Sequence, residues 1–188
     1  MSKILIEVSA RHVHLSQEHL EKLFGRGYEL KPLKELSQKG QFAAEENLTL
    51  QTKQAEIEKV RILGPVREQT QVELSATDAY ILRIKPPLRL SGDIKDSPGI
   101  KIIGPKGEVS LEQGVILAKR HIHADHSDAK KFSVSDGQEV SVKVAGRREV
   151  TFHKVVVRVH DEYVWRMHVD TDEGNAAGVV RTMRGEVI

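Results

Sequence analysis

Ala10-Arg11-His12-Val13-His14 stands near the start of the chain, and Lys119-Arg120-His121-Ile122-His123 stands past its middle. Both carry an Arg followed by a His-x-His pair. Each follows an apolar, strand-like segment and precedes a short helical one. On a strand, residues i and i+2 leave by the same face, so each pair sends two imidazoles one way and Val13 or Ile122 the other. A second, weaker correspondence joins Val72-Glu73-Leu74-Ser75-Ala76-Thr77-Asp78-Ala79 to Met167-His168-Val169-Asp170-Thr171-Asp172-Glu173 and sets Glu73 opposite His168. Self-similarity of this kind marks a duplicated architecture. The expected halves are residues 1–115, whose N-terminal strand can pair with the other half, and residues 116–188.

Outward from these repeats, short alternating segments dominate. Ile4, Ile6 and Val8 alternate with polar or outward residues, as do Leu48 and Leu50, Val60 and Ile62, Val72 and Leu74, and Val140, Val142 and Val144. Val155 to Val159 and Tyr163 to Val169 read as a late hairpin around His160-Asp161-Glu162. Gly64-Pro65, Gly92-Asp93, Ser97-Pro98-Gly99, Gly104-Pro105-Lys106-Gly107 and Asp136-Gly137 break the segments. Many short strands with regular breaks predict barrels or sandwiches. Helices are few: Ser16 is a fair N-cap for residues 17–24, with Gly25 as the stop, and residues 127–132 make another. The expected fold is mainly β, two similar small β-barrels capped by short α-helices.

Composition narrows the chemistry. The 188 residues carry 29 Lys and Arg against 27 Asp and Glu, a net charge of +2, without the basic stripe of a nucleic-acid binder. No apolar run approaches the 18 or so residues of a membrane span, and the N-terminus lacks a signal-peptide pattern. The expectation is a cytoplasmic protein. With no Cys, thiolate metal sites are excluded, and any metal is held by His and carboxylates, a set more typical of catalytic zinc.

Each His-x-His pair supplies two of the three ligands of such a site. One pair on an exposed strand face means little, whereas two copies with the same flanks point to metal. His168 and Glu73, each between apolar neighbours on an alternating strand, are the candidate third ligands. His19, His126, His153 and His160 are read as background. His12, His14 and Glu18 also match the start of a cupin metal motif. Glu18, however, falls in the first turn of a helix, where a carboxylate serves the helix dipole. Arg67, in the Gly64-Pro65 turn six residues before Glu73, is the candidate to fork onto a phosphate. Arg11 and Arg120 either cap a barrel end or meet an anion.

Ser9 to Ser16, Lys34 to Ala44, Leu63 to Arg67 through Glu73, Arg120 to His123 and His168 to Ala177 together resemble the phosphate propanoyltransferases, the PduL-type phosphotransacylases. The likeness runs from residue 4 to about 180. It implies two small barrels with a dinuclear zinc site between them. It also implies exchange of phosphate for coenzyme A on a propanoyl or acetyl group. By matching position, one zinc takes Glu73, His121 and His123 and leaves a place for the CoA sulfur, and the other takes His12, His14 and His168. Arg67 aligns with a phosphate-binding arginine, and Ser91 with a position near the active site. The implied partners are acyl-CoA and phosphate as substrates and, in the pathway, an acetate or propionate kinase; a homo-oligomer is compatible with it. Nucleic acid and membrane are not expected as partners.

Two features depart from the family pattern. Ala124-Asp125-His126-Ser127 replaces the residues that often follow the second His pair. The chain is expected to lack the amphipathic microcompartment-targeting extension of some members, which makes acetate metabolism as reasonable a setting as propanediol degradation. Two other readings stand beside this one: a mononuclear metal hydrolase or cupin-like oxygenase, and a zinc-stabilised scaffold without activity.

Overall fold

The computed structural model describes residues 2–180 and 182–188. In chain order the elements begin β1 (Ser2–Val8), β2 (His12–His14), α1 (Gln17–Phe24), β3 (Pro32–Glu35), β4 (Phe42–Gln51) and β5 (Glu56–Gly64). They continue β6 (Gln71–Leu74), α2 (Ala76–Ile81), β7 (Leu88–Arg89), β8 (Lys101–Ile103), β9 (Glu108–Ser110) and β10 (Val115–Ala118). The last are β11 (His121–Ala124), α3 (His126–Phe132), β12 (Glu139–Val144), β13 (Val150–Val159), β14 (Arg166–Val169), α4 (Thr171–Ala177) and β15 (Thr182–Val187). Among the described residues, no helix is long and apolar enough to cross a membrane.

The chain forms two units. One comprises Met1–Ala10, Ser37–Lys39 and Lys119–Ile188, and the other Arg11–Leu36 and Gly40–Ala118. In the first, six strands close into a barrel in the order β1-β14-β11-β13-β12-β15. In the second, a sheet runs β7-β10-β6-β2-β5-β4-β8-β9, with β3 paired to β4, and stays open. The fold is thus mainly β with short helices, as the alternation predicts. The chain crosses between units immediately before each His-x-His pair, after Ala10 and after Ala118.

The duplication is visible in the pairing. β2 lies between a parallel neighbour, β5, and an antiparallel one, β6. β11 likewise lies between parallel β13 and antiparallel β14. Beyond the antiparallel strand comes a parallel one in both units, β10 on β6 and β1 on β14. Each unit has its own apolar core. Val13, Leu15, Leu20, Leu50, Ile62 and Val72 lie in the open-sheet unit, and Ile4, Ile6, Ile122, Val157 and Met167 in the barrel. These side chains are almost wholly removed from water, each contributing about 1.5–3 kcal/mol.

Local structure departs from the sequence reading in two places. The hairpin expected around residues 160–162 is absent, because β11 inserts between β13 and β14 and pairs with both. The segments after Glu73 and His168 form two helices, α2 and α4, beyond the two that the sequence reading names. Each helix opens on a capping box. Ser75 Oγ accepts from the Asp78 N–H while Asp78 accepts from the Ser75 N–H, and Asp170 and Glu173 do the same for α4. The reciprocal bonds satisfy donors that a helix start otherwise leaves open.

Candidate metal centre

In the open-sheet unit, β2 and β6 pair antiparallel with His12 opposite Glu73 and His14 opposite Gln71. Residues directly opposite share a face, so the four side chains form a two-by-two grid on it. Val13 and Val72, between them, point into the core. His12, His14 and Glu73 are all buried, at 5%, 3% and 7% exposure, and their ligand atoms lie within 4.8 Å of one another. His12 Nε2 and His14 Nε2 are 3.2 Å apart. Glu73 Oε2 is 3.6 Å from His12 Nε2, and Glu73 Oε1 is 3.9 Å from His14 Nε2.

These distances suit a zinc ion. Ligands at about 2.0–2.2 Å from zinc in a tetrahedron stand about 3.3–3.6 Å apart. The supporting contacts agree. His14 Nδ1 lies 3.3 Å from the Leu63 carbonyl, which leaves Nε2 for a ligand. Burial, with His12 and Arg67 nearby, holds His14 well below the usual imidazole range, and so neutral. Burial alone raises the Glu73 carboxyl. His12, His14 and the Ser91 hydroxyl outweigh that and hold it well below the usual carboxylate range, and so ionised. Neutral imidazole and ionised carboxylate are the forms a metal needs.

The barrel unit repeats the grid. β11 and β14 set His121 opposite His168 and His123 opposite Arg166. Ring centroids are 4.6 Å apart for His121 and His123, 5.4 Å for His121 and His168, and 5.0 Å for His123 and His168. His121 Nδ1 donates to the Lys119 carbonyl at 2.8 Å, again leaving Nε2 as ligand. Tyr163 lies against His123, with centroids 4.1 Å apart. His168 therefore occupies in this unit the place Glu73 holds in the other. The barrel unit thus brings His121, His123 and His168 together on one strand pair.

The anion-binding candidates sit in the open-sheet unit. Arg67 hydrogen-bonds through its backbone N–H to the Leu15 carbonyl at 2.8 Å, and its Nη1 donates to Ser91 Oγ at 3.3 Å. Its guanidinium is close enough to His14 to disfavour a second positive charge there. Two residues beyond the sequence reading belong to the site. Gln71 links Glu73 to Ser91, and its i, i+2 spacing from Glu73 was the available signal. Tyr163 has no such signal, since its contact with His123 depends on how the loop before β14 folds.

The remaining candidates resolve simply. Arg11 and Arg120 meet carboxylates rather than a free anion, Asp78 at 2.8 Å and Glu173 at 2.6 Å. Glu18 is exposed on α1 and pairs with Lys22 at 2.6 Å, which removes the cupin-like match. His19 bonds Thr70 Oγ1, and His153 bonds Ser141 Oγ. His126 is exposed and 3.5 Å from Asp161, and His160 Nδ1 accepts from the Glu162 N–H.

The family model described as phosphate propanoyltransferase matches residues 5–180. A phosphate propanoyltransferase of Thermotoga maritima is 54% identical over 93% of this chain and 83% of its own length. One from Lachnoclostridium phytofermentans is 54% identical over 93% and 82%, and one from Clostridioides difficile is 47% identical over 98% and 88%. The chain belongs to the phosphate propanoyltransferase family.

Proposed function

We propose that this protein interconverts a short-chain acyl-CoA plus phosphate with acyl phosphate plus CoA, using zinc at both His-rich trios. The observation that carries the reading is the buried His12–His14–Glu73 set with Arg67 and Ser91 in the same unit. Relatives named phosphate propanoyltransferase support it. Propanoyl-CoA and acetyl-CoA are both within the proposal. They differ by one methylene, worth about 1–3 kcal/mol in a fitted pocket.

In the direction that makes acyl-CoA, the C–S bond forms and the C–O bond to phosphate breaks. The proton lost by the thiol ends on the departing phosphate. A thiol of pKa about 8.5 is mostly protonated at neutral pH. Zinc held by His12, His14 and Glu73 would supply the Lewis acidity that keeps a thiol ionised. The chain's own residues supply the rest. His14 and Glu73 arrive in the right protonation states, and burial excludes water from them. Arg67 offers two parallel N–H donors to a phosphate, with Ser91 holding one guanidinium nitrogen in place. No protein nucleophile is required, in keeping with a chain that has no Cys.

The test is thiol release from propanoyl-CoA and acetyl-CoA with the metal-replete protein. Release should require phosphate, disappear after chelation and return with zinc. Two separate apolar cores should let the chelated chain keep its β structure by circular dichroism, with a lower melting temperature as bound metal is lost. Metal-replete protein that releases no thiol with either substrate would refute the function. Complete unfolding on chelation would instead favour the scaffold reading.

A further inference from the structure

Residues 34–44 carry part of the family likeness, yet they supply no candidate metal donor and no candidate phosphate fork. Within them, Ser37–Lys39 is the one piece of chain between Arg11 and Ala118 that belongs to the barrel unit. Gln38 is buried there, at 4% exposure. Its amide closes a ring with both main-chain groups of Val164. Nε2 donates to the Val164 carbonyl at 3.1 Å, and Oε1 accepts the Val164 N–H at 3.0 Å. Val164 lies in the loop between β13 and β14, outside either strand, so the amide stands where a paired strand would. Beside it, Ser37 Oγ donates to Glu7 Oε2 at 2.6 Å, and Glu7 Oε1 is 3.4 Å from Arg166 Nε.

The positions secured in this way border His123. Tyr163, next to Val164, has its ring centroid 4.1 Å from that of His123. Arg166 is paired opposite His123 across β11 and β14. Bonds from the Tyr163 and Glu162 N–H groups to His160 shape the turn itself; those from Gln38 hold its second half. We infer that Gln38 is a positioning residue that, by clamping Val164, keeps the Tyr163 ring against the His123 imidazole and so fixes the orientation of a candidate metal donor; this rests on the function proposed above. Groups that orient a ligating imidazole are typically felt 10–100-fold in metal affinity or activity. The next residue, Trp165, is anchored separately, stacked on Phe132 at 4.3 Å and bonded through Nε1 to the Lys3 carbonyl. Loss of the clamp should therefore loosen the loop ahead of Val164 and leave β14 in place.

The experiment uses the full chain. In the unaltered protein, hydrogen exchange read residue by residue should find the Val164 amide protected, as strand amides are. Unprotected exchange there overturns the clamp, whatever the variants do. Gln38→Met keeps the side-chain length and removes both bonds. It is compared with Tyr163→Ala and with the double variant. Expected for Gln38→Met are loss of the Val164 protection, an altered absorption spectrum of the cobalt(II) protein, and a thiol-release kcat lowered roughly tenfold. The phosphate KM should stay within about twofold, because the change acts on a donor and not on the anion fork. In the Tyr163→Ala background the same substitution should lower kcat by about twofold at most, since the group it positions is already gone. General weakening of the fold would instead multiply the two losses. Unaltered zinc-replete protein that releases no thiol overturns the proposed function and this inference with it. Active unaltered protein, with kcat and cobalt spectrum unchanged in Gln38→Met or with multiplying losses in the double variant, overturns this inference alone.

Discussion

Arg120 Nη1 donates to Glu173 Oε1 at 2.6 Å, and this bond has a counterpart in the other unit, where Arg11 Nη1 donates to Asp78 Oδ1 at 2.8 Å. In both, the arginine immediately precedes the His-x-His pair. The carboxylate is the capping-box acid five residues after the third donor, Glu73 or His168. The pair therefore ties the helix that follows the third-donor strand to the start of the two-imidazole strand. Asp78 is the more buried partner, with 4% of its side chain exposed against 44% for Arg11. Its carboxylate serves the Ser75 N–H and the guanidinium at once. Asp78→Ala should cost about 2–3 kcal/mol of stability, because it removes a charge-assisted bond and a cap together. Glu173→Ala, at a more exposed carboxylate, should cost about 1–2 kcal/mol. Chemical denaturation of both variants checks the order; equal losses would mean that burial does not decide the strength of the clamp.

Metal content should follow the two trios separately. His123→Ala removes one of the three barrel donors and leaves His12, His14 and Glu73 intact. The expected result is loss of one zinc per chain and of nearly all thiol-release activity, with the open-sheet zinc retained. His12→Ala should remove the other ion. Metal analysis by mass spectrometry under native conditions reads both. A His123→Ala chain that keeps two zinc ions and normal turnover would show that this trio does not hold metal.

The grouping of the candidate donors on paired strands was legible in the sequence because strand chemistry is short-ranged. His-x-His spacing fixes two side chains on one face wherever the strand lies, and alternating neighbours mark Glu73 and His168 as facing the same way as each other's counterparts. The repeat then sets Glu73 opposite His168, and register bears this out, with His12 across from Glu73 and His121 across from His168. The strand order was not legible. Val155–Val159 and the strand at His168 are neighbours in sequence, and a tight hairpin is the local choice. The structure places β11 between them, paired to both, and such a long-range pairing is carried by no local window. Helices α2 and α4 were missed for a different reason. Their apolar periodicity is too short to read at six and seven residues, although the capping signals Ser75 with Asp78 and Asp170 with Glu173 were present. The role of Arg11 and Arg120 followed only once those helices were in place.

Arg67 tests the anion side of the proposal. A guanidinium presents two parallel donors to a phosphate, while an ammonium presents a compact point charge on a flexible stem. Arg67→Lys keeps the charge near His14 but loses the fork and the bond to Ser91 Oγ. Its phosphate KM should rise about tenfold, in line with one lost charge-assisted hydrogen bond of roughly 1.5 kcal/mol. Arg67→Ala should raise it by roughly a hundredfold or more, because the charge goes as well. Neither variant alters a zinc ligand, so zinc content should stay as in the unaltered chain. Thiol-release kinetics at varied phosphate, alongside metal analysis, separates the two effects. A lysine variant with an unchanged phosphate KM would mean that Arg67 does not contact the phosphate, and the reading of this arginine as the anion fork would have to be abandoned.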